Sequence, residues 1–195
     1  SVKTNKEIYD DFTIVPKALY FGHYVTLMGG KFGIWLRNSA IVSIGTVAVV
    51  LITSAMAAYP LARMQFRGRN LIFVLLVGSL MIPNAVVLVP QYVLTQRLGW
   101  LSTYQGLIVP EAALTFAFGV FLLRQFFLTI PRELEDAARI DGAGTWRVFT
   151  RIVLPLSQPV LAALGIFAFR SAWNDFLWPL IAVNKPDMFP LPVAL

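Results

Sequence analysis

The 195-residue sequence has no cysteine and a single histidine, His23. Without cysteine the chain forms no disulfide, binds no metal through thiolates and has no cysteine nucleophile. With one histidine it has no multi-histidine metal site, and no histidine base stands in its apolar body. Charge is also scarce. Asp, Glu, Lys and Arg make up 13% of residues, where soluble domains carry about 25%. Hydrophobic residues reach 57%, and mean hydropathy is +0.70. Such a chain cannot cover its surface with polar groups, which excludes disorder and argues against a water-soluble enzyme. The charges present are lopsided: sixteen Lys and Arg against ten Asp and Glu, net +6. Beside long apolar runs, that excess marks the cytoplasmic loops of a membrane protein rather than nucleic-acid binding. No internal repeat, low-complexity tract or soluble second domain is visible, so residues 1–195 read as one transmembrane domain. Ser1 at the start and an apolar end at Leu195 suggest a piece of a longer product.

A membrane-spanning helix needs about 20 apolar residues. Four windows qualify: 38–61, 71–94, 106–127 and 156–183. The first is uncharged and rich in Ser, Thr, Gly and Ala, which suit close helix packing. The second is interrupted by Pro83 and Pro90, and the last carries Arg170 and Asp175. Lys and Arg in the short loops set the orientation. Loop one, 62–70, has Arg63, Arg67 and Arg69, and loop three, 128–155, has Arg132, Arg139, Arg147 and Arg151. Loop two, 95–105, has only Arg97. Loops one and three therefore read as cytoplasmic. Residues 1–34, with His23, and the rings of Trp35, Trp100, Trp173 and Trp178 read as outer.

Loop three is longer than a connector needs to be. It reads as two short helices. Pro131 opens the first, followed by Glu133, Glu135 and Asp136 near its positive end. Gly142 and Gly144 end it, Thr145 caps the second, and Pro155 closes that one. Ala137 and Ala138 offer a small surface that another protein can approach closely. Leu134, Ile140, Trp146, Phe149 and Ile152 are apolar in a segment assigned to the cytoplasm, which points to docking.

Within this loop Asp136-Ala137-Ala138, Gly142, Ile152 and Leu154-Pro155 stand at fixed gaps. The pattern resembles the EAA motif of the membrane subunits of bacterial ABC importers, with Asp136 in place of the leading Glu. A literal Glu111-Ala112-Ala113 lacks the following Gly and reads as coincidence. The wording around Arg132–Ala143, Phe118–Phe127 and Trp173–Leu180 is similar to the carbohydrate branch of these permeases, most of all the maltose-type second subunit.

The resemblance implies an all-α polytopic bundle in the bacterial inner membrane, with four of six spans in this piece. It implies a coupling helix between the third and fourth spans and a pathway for carbohydrate uptake. Partners would be a second permease subunit, two ATP-binding subunits, an extracytoplasmic solute-binding protein and the lipid bilayer, with no nucleic acid. No cofactor or metal would sit on this chain; ATP and Mg would sit on the partners. No Walker A loop is present, since Gly30-Lys31 is followed by Phe32 and preceded at the required spacing by Val25. The chain is therefore expected not to be an enzyme. Coupling to the ATPase would fall to Glu135, Asp136, Ala137, Ala138, Asp141, Gly142, Phe149, Ile152, Leu154 and Pro155.

Charges inside the spans are the other candidates, since they are costly at membrane depth. Trp173, Asn174 and Asp175 could line a substrate path or gate. Alternatively, Asp175 pairs with Arg170 or caps a helix break. Arg124 reads as a snorkelling residue, and Glu111 as lying at the outer headgroup level. Open alternatives are an ABC permease for an amino acid, peptide or polyamine, and a secondary carrier.

Overall fold

The computed structural model describes residues 30–195, which are helical with no strand among them. The fold is organised by two long helices, α1 (Phe32–Arg63) and α4 (Tyr104–Thr129), packed along each other. At about 1.5 Å per residue both exceed a bilayer core of about 30 Å. Their seam is built from small residues. Ser39, Ser43, Thr46 and Ser54 of α1 are buried, and a Cβ at Gly119 of α4 would overlap the Ser54 hydroxyl. Without a hydrophobic driving force in lipid, such close backbone approach supplies the dispersion contact.

Between them lie α2 (Arg69–Ser79) and α3 (Asn84–Arg97), bent by 100° at Pro83. The second window is thus two half-helices, not one straight crossing. Proline lacks an N–H and disfavours helix in the residue before it, so the turn falls there. Pro90 is accommodated inside α3. Almost nothing in this pair is buried within the chain: no residue of α2, and only Thr95 of α3.

After α4, Ile130 is extended ahead of Pro131. Then follow α5 (Arg132–Ile140), α6 (Thr145–Val148), a π-turn (Phe149–Val153) and α7 (Leu154–Leu156). A bend of 76° leads into α8 (Gln158–Asn174). Two expectations for loop three are corrected. Thr145 is the first helical residue and its side chain caps nothing. Pro155 does not end the second helix: the preceding π-turn accommodates the proline, and the chain turns at Ser157, whose Oγ donates to Val153 O at 2.6 Å. Val148, Phe149 and Val153 join the main core with Val50, Tyr59, Val120, Leu123, Phe127 and Leu164.

The fourth window breaks at Asp175-Phe176 and resumes as α9 (Leu177–Ala182). A 3-10 turn (Pro186–Met188) and α10 (Leu191–Ala194) then return to the start of α1. Asn38, fully buried, donates to Asp187 O at 2.8 Å and accepts from Tyr104 Oη at 2.7 Å. Counting each bent pair once gives four spans by length and composition.

The two ends of the bundle differ chemically. At one, the C-termini of α1 and α4 meet: Arg124 Nε donates to Leu61 O at 3.1 Å. Loops one and three with their arginines therefore share an end. Arg124 does not snorkel freely, because its guanidinium also stacks over Phe73 at 4.0 Å. At the other end Trp178 Nε1 donates to Gly106 O at 3.0 Å, and Ser102 N donates to Ala182 O at 2.9 Å. His23 and nearly all of the 1–34 segment lie outside the described residues.

Candidate functional site

At the arginine-rich end, α5 is strongly amphipathic, and its inward anchor is Glu135. Its Oε1 lies 2.8 Å from Arg63 Nε, with both side chains only 4% exposed. Its Oε2 accepts from Tyr59 Oη at 3.2 Å, and Arg139 approaches it at 3.9 Å. Arg63 also donates to Ile130 O, so one guanidinium joins the ends of α1 and α4 to α5. Tyr59 packs on Phe149 at 5.0 Å between ring centroids and on Phe127 at 6.5 Å. Glu135 and Phe149 therefore face the core.

The outward face is different. Asp136, Ala137, Asp141 and Gly142 are exposed, and Ala138 is half-buried. Ile140 is 87% exposed and Trp146 65%. Ile152 and Leu154 are half-buried and Pro155 exposed. Gly142 has φ +82°, a left-handed turn that ends α5, and its N–H donates to Arg139 O at 3.0 Å. Gly144, at φ −70°, makes no such turn.

Toward the other end, α4, α8 and the start of α3 enclose an open cavity of about 660 Å³. Helix α4 contributes Glu111, Leu114, Thr115 and Phe118. Helix α8 contributes Phe167, Arg170, Ser171 and Asn174, and Asp175 and Asn84 complete the wall. Glu111 is buried within the bundle; its Oε1 accepts from Ser171 Oγ at 2.6 Å. Arg170 is not buried and, among the described residues, forms no ion pair. Asp175 instead caps the break: its Oδ1 accepts from Trp178 N at 3.3 Å. Of the three path candidates, Asn174 and Asp175 line the cavity, while Trp173 stacks on Phe169 at 5.3 Å.

The sequence profile described as "binding-protein-dependent transport system inner membrane component" matches residues 50–194, which include both regions. The chain belongs to this family. It is 41% identical over 172 residues to the arabinooligosaccharides transport system permease protein AraQ of Halalkalibacterium halodurans, covering 88% of this chain and 61% of that protein. To the diacetylchitobiose uptake system permease protein NgcG of Streptomyces coelicolor it is 37% identical, covering 98% and 64%. To the sn-glycerol-3-phosphate transport system permease protein UgpE of Pectobacterium atrosepticum it is 36% identical, covering 94% and 68%. The chain thus spans a little over six tenths of the length of the first two. The fold matches a chain of a bacterial ABC transporter involved in import of the acidic polysaccharide alginate. That match has a TM-score of 0.87 at 22% identity, covering 98% of this chain and 68% of the other.

As an inner membrane component of this family, the chain places its motif loop at one end of the bundle and its polar cavity toward the other. Sequence reasoning missed Arg63 and Tyr59 as partners of Glu135, and Glu111 with Ser171 as a cavity wall. A signal existed for the first: a basic residue closing an apolar span beside an acidic helix start. For the second there was none: a glutamate inside an apolar window and a serine 60 positions on carry no mark of each other.

Proposed function

We propose that this chain is a pathway-forming subunit of an ATP-driven importer for carbohydrate. The observation that carries this reading is the exposed face of α5 and α6, with the motif residues Asp136, Ala137, Ala138 and Gly142 on a helix tied to the spans through Glu135. An ATP-binding subunit meets this face from the cytoplasm. Ala137 leaves room for close approach, Asp136 and Asp141 offer charge to a basic cleft, and Ile140 and Trp146 supply apolar contact.

Glu135, Phe149, Ile152 and Leu154 act from behind, holding the helix to α1 and α4. A shift of the docked partner then moves span ends rather than a loose loop, and the pathway changes between two states. Hydrolysis takes place on the partner, since this chain carries no Walker A loop. A second permease covers the apolar flank of α2 and α3, and an extracytoplasmic binding protein delivers the sugar. The relatives named for arabinooligosaccharides and diacetylchitobiose support a saccharide cargo.

The test is copurification of the intact gene product from gently solubilised membranes, with and without Gly142→Pro. Proline is locked near φ −65° and lacks the N–H that bonds Arg139 O, so it cannot make this turn. The unmutated chain is expected to retain an ATP-binding subunit and a second permease. The variant is expected to keep the permease and lose the ATP-binding subunit. Retention of both, with sugar uptake unchanged, refutes the reading.

A further inference from the structure

The cavity beside Glu111 gathers two carboxylates and a guanidinium without an ion pair between them. Glu111 is 7% exposed, and the one hydrogen bond to its carboxylate among the described residues, from Ser171 Oγ, would be accepted equally by a neutral amide. A carboxylate in an apolar helix is costly unless it has a task. Arg170 forms no ion pair among the described residues, although Glu111 and Asp175 line the same cavity. Two carboxylates face the void against one guanidinium.

The remaining wall is of mixed character. Asn84 and Asn174 both donate and accept, as sugar hydroxyls do. Phe118 and Phe167 meet edge to face at 5.7 Å and present apolar carbon to the C–H faces of a ring. A volume of about 660 Å³ suits a small-molecule ligand.

We infer that this cavity is a saccharide-binding site of the chain itself, selective for uncharged sugars, with Glu111 and Asp175 rejecting acidic sugars and phosphate esters. The inference rests on the import reading and adds the charge class of its cargo. An anionic ligand adds a third negative group to a wall where two carboxylates outnumber the one guanidinium, so the net field repels it. A neutral ring forms hydrogen bonds to the same carboxylates without that repulsion.

The test uses the intact transporter in lipid nanodiscs and saturation-transfer NMR. The probes are three neutral disaccharides, each paired with its counterpart oxidised to a uronic acid at one C6. At least one neutral sugar is expected to bind, and its acidic counterpart about ten-fold more weakly. Glu111→Gln with Asp175→Asn is expected to narrow that gap to about threefold or less. Asn84→Lys, at an exposed position on the wall, is expected to narrow it without disturbing buried groups. Equal binding of the two classes by the unmutated protein overturns the inference, as does a gap that neither variant changes. Absence of any disaccharide binding, with ATP-driven uptake intact, overturns the cavity assignment alone. Uptake driven by an ion gradient without ATP overturns the import reading, and the charge gap then still decides the cavity.

Discussion

The molecule handles charge within its helix bundle in two opposite ways. At the arginine-rich end, Arg63 and Glu135 are in contact at 2.8 Å, with Tyr59 on the second carboxylate oxygen. In the cavity, Arg170 stands open while Glu111 and Asp175 are held by a serine hydroxyl and a backbone N–H. A buried pair shut away from the surface serves to locate helices. An open set retains its capacity for hydrogen bonds and its field, which makes it the place to look for chemistry with a solute.

The largest expected effect breaks the closed pair. Glu135→Ala leaves the Arg63 guanidinium buried and uncompensated, a loss of about 3–5 kcal/mol. Replacing both partners, Arg63→Met with Glu135→Met, is expected to recover about half of that loss, because Tyr59 Oη and Ile130 O then lose their partners. Thermal unfolding of the purified protein in detergent compares them; equal losses in single and double variants would mean the pair is not closed. Next comes Gly119→Val, which forces α4 away from Ser54 of α1 and is expected to cost about 1–3 kcal/mol in the same assay. Trp178→Phe removes the bond to Gly106 O near the open site and leaves that carbonyl unpartnered, at about 1–2 kcal/mol.

The smallest stability change is expected in the cavity itself. Arg170→Gln breaks no ion pair among the described residues and should alter unfolding by about 0.5 kcal/mol or less, while changing which sugars bind. A stability loss as large as that of Glu135→Ala would erase the distinction between closed and open charge. On the exposed face of α6, Trp146→Ala is expected to alter unfolding only modestly, through its contact with Phe149, and to weaken retention of the proposed ATP-binding subunit.

Much of the arginine-rich end was readable from residues alone. Pro131, the acidic first turn, Gly142 and the fixed gaps to Leu154-Pro155 are local signals, and the structure places a helix, a left-handed turn and a second helix there. The faces of α5 were not readable to the same degree. Glu135 and Asp136 are adjacent carboxylates of one sign, and only the position of Arg63 on another helix sends the first inward. The cavity was less readable still. Asn174 and Asp175 stood out because charge is scarce in a span, but Glu111 resembled a boundary residue and Arg170 a simple counter-ion.

Composition and periodicity by themselves determined the class of this protein: too little charge to be soluble, four apolar windows, arginines gathered in two loops, and one loop with a spaced motif. These follow from the cost of placing polar groups in hydrocarbon, which any sequence must respect locally. Only the tertiary structure decided where the windows bend, which carboxylate is locked and which stays open. Those outcomes depend on residues distant along the chain meeting across helices. Arg63 meets Glu135 across 72 positions, and that juxtaposition is set by packing rather than by spacing.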